Sequence, residues 1–237
     1  MIKKIYTAEK RIRKHGKETK MLKCVIFDMD ATIADTLPLC IEAFKRTVYE
    51  LTGKTPSSDE ITATFGPNET ATVKAFAPDR VEEGTELYLK KYTKLHPVMC
   101  PNMFDGMKEV FELIKKNGVK CALVTGKGKP SLDVTLKQFG LENTFSHIEP
   151  GHPEKINKTA NIKKTLESLG ICRDESIYVG DAVTDIICAK NAGIGIISAA
   201  WSKDADIEAI KQNNPDFIAY TTKELYGLLE NMICTEK

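Results

Sequence analysis

Leu22-Lys23-Cys24-Val25-Ile26-Phe27 (22–27) is a short apolar run that ends on an acidic stretch, Asp28-Met29-Asp30-Ala31-Thr32 (28–32). A run of this length with a polar exit reads as a buried strand. Three later runs have the same character: VKCALV (119–124), SIYVG (176–180) and GIGIIS (193–198). Each precedes or follows a stretch of helical periodicity, namely Pro130–Phe139, Lys158–Leu169, Asp185–Ala192 and Asp204–Lys211. Gly140, Gly170 and Gly193 sit where helix C-terminal glycines belong. Strands alternating with helices predict a parallel sheet covered on both faces.

The rhythm breaks between about Leu37 and Met103. Pro38–Leu51, Asn68–Ala77 and Arg80–Leu95 read as helices, and no buried strand stands out. Pro56, Gly66, Pro67, Pro78 and Pro97 punctuate the interval. It reads as a helical insert between the first strand and the rest of the sheet. No internal repeat or low-complexity tract is present.

Ligands of open α/β sheets bind beyond the carboxyl ends of the strands. The first strand delivers Asp28 and Asp30 there. Two carboxylates two residues apart can share one pocket, one attacking phosphorus while the other handles protons. Taken alone, such a pair is more often a polar strand exit. The strand ending at Val124 delivers Thr125-Gly126-Lys127-Gly128. A hydroxyl beside close-approaching amides makes a clamp for phosphate oxygens, although a plain glycine turn has the same look. The strand Ile177–Val179 delivers Gly180-Asp181 and, one helical turn later, Asp185. A helix N-cap with an acidic first turn accounts for one of these acids and not for the set. Several carboxylates aimed at one spot repel each other unless a hard cation with oxygen ligands joins them, and Mg²⁺ suits that role. Lys155 and Lys158 flank the same region; either offers a cation for the nucleophile and a phosphate oxygen, and either also suits a solvated helix start.

The whole-chain numbers narrow the field. The 237 residues suit one sizeable domain or a core with a smaller insert. Hydrophobic residues are 42% and charged residues 28%, an ordinary balance for a globular protein. A net charge of +1 leaves no broad footprint for nucleic acid. Residues 1–20 stand apart, with eight Lys/Arg against two acids. They read as a basic, poorly ordered extension, or as sequence upstream of a start at Met21. They lack the apolar core of a signal peptide, and Glu9 and Glu18 argue against a transit peptide. Seven cysteines at scattered spacing, with no CxxC pair, favour a reducing compartment. No apolar run approaches the ~20 residues needed to span a membrane. A cytoplasmic protein is expected. His147 and His152 have no partner ligands nearby for zinc. Trp201 is expected to pack at the sheet edge.

The ordered set DxDxT, Thr-Gly, Lys, GDxxxD resembles the haloacid dehalogenase-like hydrolase superfamily. The resemblance is carried by VIFDMDATIADT (25–36), LVTGKGKPSLDVTLKQFGL (123–141), NKTANIKKTLESLGI (157–171) and YVGDAVTDIICAKNAG (178–193). With AAWSKDADIEAI (199–210), these stretches look like the phosphoglycolate phosphatase-like branch. The resemblance runs from about Met21 to the C-terminus. It implies a Rossmann-like core at 21–36 and 104–237 with an α-helical cap at 37–103. It implies Mg²⁺ and an aspartyl-phosphate on Asp28, which also ligates the metal. Asp30 matches the general acid/base, its carbonyl a metal ligand. Asp181 and Asp185 match acidic ligands, Thr125 and Gly126 the phosphate clamp. Lys158 matches the motif lysine better than Lys155.

Lys127 joins Gly126 among the candidate substrate-binding residues. In the cap, ITATFGPNETATVKAF (61–76) looks like the loop facing the active site, with Phe65, Gly66 and Asn68 as candidate contacts. Arg46 and Lys74 are candidate anchors for an anionic group. Two departures from the family pattern are present. Ala31 stands where glycine is usual, and the lysine segment lacks the common Lys-Pro-x-Pro form. The expected activity is hydrolysis of a small-molecule phosphate monoester, such as phosphoglycolate, a sugar phosphate or a nucleotide. The alternatives are a mutase of the β-phosphoglucomutase type and, because of Ala31, a weakly active or non-catalytic binding relative. Dehalogenase and phosphonatase readings fit less well: Asp30 suits an oxygen leaving group, and no cap lysine is singled out. The motifs leave the substrate and the oligomeric state open.

Overall fold

The computed structural model describes residues 21–155 and 157–234; the basic segment 1–20 lies outside the described residues. Six strands form one parallel sheet in the order β3-β2-β1-β4-β5-β6. They are β1 (Cys24–Phe27), β2 (Lys120–Val124), β3 (His147–Glu149), β4 (Ser176–Gly180), β5 (Gly195–Ala199) and β6 (Phe217–Ala219). This is the Rossmann-like α/β order, and the direction in which successive strands are added reverses between β1 and β4. The register is set there by Val25↔Ile177 and Phe27↔Val179, so Asp28 and Gly180 leave the sheet side by side.

Strand β1 shows why the short apolar run decides the fold. All four of its residues are fully buried. Cys24 and Ile26 face one core, with Ala122, Val124, Tyr178 and Ile162. Val25 and Phe27 face the other, with Leu123, Val179, Met107 and Leu229. Side chains alternate across a strand, so only an apolar residue at every position satisfies both faces.

Helices α1 (Leu37–Thr52), α2 (Ser58–Thr62), α3 (Glu69–Phe76) and α4 (Val81–Met99) form the inserted helical cap. Their own core contains Leu39, Phe44, Ile61, Val73, Tyr88 and Tyr92. Phe44 stacks on Tyr88 at 4.1 Å between ring centroids. The sheet is flanked by α5 (Met107–Lys116), α6 (Lys129–Phe139), α7 (Lys158–Leu169), α8 (Val183–Ala192), α9 (Ile207–Gln212) and α10 (Thr222–Ile233). Gly140, Gly170 and Gly193 end α6, α7 and α8 in the left-handed conformation.

Three differences from the sequence expectation have physical reasons. Helix α4 continues through Pro97 to Met99 instead of stopping near Leu95. Proline this close to a C-terminus disturbs only the last turn. That turn is tied down by His96, which is fully buried and bonded to Thr135 Oγ1 of α6 at 3.2 Å. Strands β3 and β6 have three residues each, too few to show a period. Trp201 sits beyond the carboxyl end of β5, where its indole N–H donates to the Thr32 carbonyl at 3.1 Å. It therefore braces the turn after β1. Among the described residues, no helix is long and apolar enough to cross a membrane.

Candidate active site

The turn after β1 is tightly wound. The Asp28 amide continues the sheet by donating to the Val179 carbonyl at 2.9 Å, and the Met29 amide donates to Asp28 Oδ1 at 2.8 Å. The next reversal places Ala31 at φ +57°. A Cβ in that region costs about 1–2 kcal/mol, partly offset by the lower unfolded-state entropy of alanine. Ala31→Gly is therefore expected to stabilise the protein by about 0.5–1 kcal/mol in chemical denaturation. The turn closes all the same, with the Ala31 amide on the Ala34 carbonyl at 2.9 Å.

Asp28, Asp181 and Asp185 each bring a carboxylate oxygen within 4.8 Å of the others. Asp181 leaves β4 and is oriented by Thr32 Oγ1, which donates to its Oδ1 at 3.0 Å. Asp185 is fully buried on the first turn of α8, and its Oδ2 accepts from the Ala182 amide at 3.1 Å. A Cβ at residue 180 would lie 2.4 Å from that Oδ2, so Gly180 is what lets the side chain fold back under the strand end. Lys158 opens α7 and joins the group. Its Nζ donates to Asp28 Oδ2 at 2.9 Å and to Asp185 Oδ1 at 2.6 Å.

Burial raises the Asp28 carboxyl to about 6; Lys158 opposes the rise, and Asp185 and Asp30 add to it. Asp181 is also held well above the ordinary carboxylate range, by burial and then by Asp185 and Asp28. Burial works against the charge of Lys158, yet Asp185 and Asp28 raise it well above its usual value. One lysine among three acids, two of them buried, leaves negative charge in excess. A hard divalent cation fits this all-oxygen donor set.

Asp30 lines the same cleft, with its carboxylate paired apart from the three acids. Its Oδ1 accepts from Thr36 Oγ1 and pairs with Lys127 Nζ at 3.1 Å. The Lys127 side chain is 1% exposed, with its ammonium 3.4 Å from Cys40 Sγ and 4.7 Å from the centroid of the Tyr92 ring. The lysine next to the Thr-Gly pair is therefore engaged with Asp30 inside the protein. Thr125 is buried, its Oγ1 accepting from the Lys127 amide at 3.2 Å. The loop after β3 lies directly on Gly126. A Cβ at Gly151 would be 1.8 Å from the Gly126 carbonyl oxygen.

A cleft of about 350 Å³ separates these groups from the cap. Phe65, Gly66 and Asn68 line it from the cap side, as do Thr125, Gly126, Lys127 and Lys158 from the core. Asn68 already has partners: its side chain caps α3 by accepting from Thr70, and its amide donates to the His152 carbonyl at 3.1 Å. Lys155 is exposed and is not part of the lining. Arg46 and Lys74 do not serve as anchors in the cleft. Arg46 pairs with Glu42 at 2.7 Å on the outer side of α1, opposite its buried face, and Lys74 is exposed on α3. His147 pairs with Glu149 Oε1 at 2.7 Å.

Sequence reading missed Glu69. Its Oε2 accepts from the Gly128 amide at 2.8 Å, and its Oε1 meets Ser131 Oγ. A cap carboxylate thus caps the core helix α6, whose N-cap residue Gly128 has no side chain to do so. The helix start at Asn68-Glu69 is visible in sequence; its partner 59 residues away is not.

A parallel sheet that gathers acids and a lysine at its switch point, beneath a helical cap, defines an enzyme of the Rossmann-like α/β class. The model of the haloacid dehalogenase-like hydrolase family matches residues 25–199, and the chain belongs to that family. Pyrophosphatase PpaX of Halalkalibacterium halodurans is 28% identical over 218 residues, covering 88% of this chain and 97% of that protein. CbbY from Rhodobacter sphaeroides, solved in complex with phosphate, has the same fold at a TM-score of 0.73 and 18% identity, covering 86% of this chain and 96% of that one. A haloacid dehalogenase-like hydrolase from Streptococcus pneumoniae superposes with a TM-score of 0.71 at 19% identity, covering 87% and 98%.

Proposed function

We propose that the chain is a Mg²⁺-dependent phosphatase that hydrolyses a small-molecule phosphate monoester through an aspartyl-phosphate on Asp28. The observation that carries this reading is the convergence of Asp28, Asp181 and Asp185 with Lys158 spanning two of them. Phosphoryl transfer is mostly positioning and charge stabilisation, so these are the parts it needs. The pyrophosphatase relative supports chemistry on phosphate.

In this reading Asp28 Oδ attacks phosphorus and the ester oxygen leaves. Asp30 gives that oxygen its proton, then takes one from the water that cleaves the aspartyl-phosphate. Thr125 and the Gly126 amide hold phosphate oxygens, and Lys158 neutralises charge between phosphate and nucleophile. Asp28, Asp181, Asp185 and the Asp30 carbonyl would hold the metal, which would supply charge neutralisation for the acids and the phosphoryl group. Residues 37–103 act as the cap, with Phe65, Gly66 and Asn68 facing the leaving group, and 21–36 with 104–237 as the catalytic core.

The test is phosphate release from a panel of monoesters in Mg²⁺ and in EDTA, alongside thermal melting of the same samples. Release is expected only with metal. A metal concentration near a hundred times its Kd is expected to add about 2.7 kcal/mol of stability. Folded protein that releases no phosphate and whose melting ignores Mg²⁺ would overturn the reading.

A further inference from the structure

The cap side of the cleft has a chemical character that bears on the leaving group. Leu37, Cys40, Phe44, Phe65 and Tyr88 give it an apolar, largely aromatic wall. Among the described residues, no lysine or arginine of the cap lines it. The lining cations, Lys127 and Lys158, are both on the core side. Each is already paired, Lys127 with Asp30 and Lys158 with Asp28 and Asp185. Among the described residues, the one charged group the cap contributes to the lining is Glu69.

Glu69 also removes the other means of holding an anion. A helix N-terminus offers amide donors and a favourable dipole to negative groups. At α6 the Glu69 carboxylate already occupies the Gly128 amide and the Ser131 hydroxyl. The close approach is built in, because a Cβ at residue 128 would lie 2.2 Å from Glu69 Oε2. A second phosphate or a carboxylate on the substrate would meet an apolar wall, no unpaired cation and a resident carboxylate. An unpaired anion placed against apolar surface is costly, and like charges in contact cost several kcal/mol.

We infer that the substrate is a phosphate monoester whose leaving alcohol carries no negative charge, and that Glu69 is the residue that enforces this. The inference rests on the phosphatase reading above and narrows its substrate class. A neutral alcohol with an apolar face packs on Phe65 and Leu37, while a hydroxyl on it donates to a remaining lone pair of Glu69. Pyrophosphate, phosphoglycolate and bisphosphates are disfavoured, so the specificity differs from the activity for which the PpaX relatives are named.

The experiment compares kcat/KM of the full chain in Mg²⁺ for four substrates. 2-Hydroxyethyl phosphate and phenyl phosphate have neutral leaving groups. 2-Phosphoglycolate, which matches the first in size, and pyrophosphate have anionic ones. The neutral pair is expected to exceed the anionic pair by about tenfold or more. Glu69→Gln, which keeps an acceptor for the Gly128 amide, is expected to shrink that ratio. Phosphoglycolate or pyrophosphate equalling or exceeding the neutral esters, with release still dependent on Asp28, overturns this inference and leaves the phosphatase reading standing. Release from none of the four overturns both.

Discussion

Replacing Asp28 by asparagine lowers phosphate release by roughly 10⁴–10⁶-fold, because the attacking oxygen is lost while the shape of the site is kept. Single-turnover release of phosphate, measured with Mg²⁺ in excess, checks this. A loss under tenfold would remove Asp28 from the role of nucleophile. The same substitution has an opposite effect on stability. Burial, with Asp185 and Asp30 adding and Lys158 opposing, leaves the folded-state carboxyl near 6, above its unfolded value. Such an acid binds more protons folded than unfolded, so its cost to stability is absent below the unfolded value. The cost grows as pH rises through the folded one. Without metal, Asp28→Asn is therefore expected to melt higher than wild type above about pH 6 and to match it near pH 4. Activity and stability moving in opposite directions would mark a residue kept for its chemistry.

Lys158→Met has the second largest effect. Its ammonium lies within 2.9 Å of Asp28 and 2.6 Å of Asp185, and its side chain is 13% exposed. Removing one partner of a buried ion pair leaves uncompensated charge and costs about 3–5 kcal/mol. Here two carboxylates lose their partner at once. Chemical denaturation in EDTA is expected to show a loss of that size, and Mg²⁺ is expected to recover part of it by supplying positive charge to the same acids. The turnover number falls by about 10²–10³-fold, the usual effect of removing one electrostatic contact to a transition state. Lys158→Arg does not restore it, since a planar guanidinium cannot take the place of a compact ammonium between two acids. Equal destabilisation with and without metal would separate Lys158 from the acid cluster.

The parts of this molecule that are legible in sequence are those whose signal is local. The run ending at Phe27 must be apolar at every strand position because both faces of β1 are covered, and that leaves a mark in the four consecutive residues Cys24 to Phe27. The acids Asp28 and Asp181 follow their strands immediately, so naming the strand ends also names the acids. Lys158 stands at the first position of α7, where helical periodicity begins. What escaped reading depends on distance along the chain. Lys127 meets Asp30 across 97 positions, and Glu69 reaches Gly128 across 59. Neither pairing leaves a pattern near either partner. Arg46 failed for a related reason: the side of a helix that faces a cleft is decided by the neighbour packed against it, here the long helix α4. Pro97 has a strong local preference against helix, and the buried His96 one residue earlier, bonded to Thr135, outweighs it.

The chain leaves the core after the turn that follows β1 and re-enters it at Phe104, whose amide donates to the Ile33 carbonyl at 3.0 Å. The exit and the return of the cap are thus neighbours, joined by one hydrogen bond. An insertion whose ends meet asks nothing of the strands on either side, so its length and contents can change without altering any register in the sheet. Recognition and chemistry are in that sense inherited separately: descendants of such a chain can exchange what they recognise while the acids beneath stay where β1 and β4 hold them.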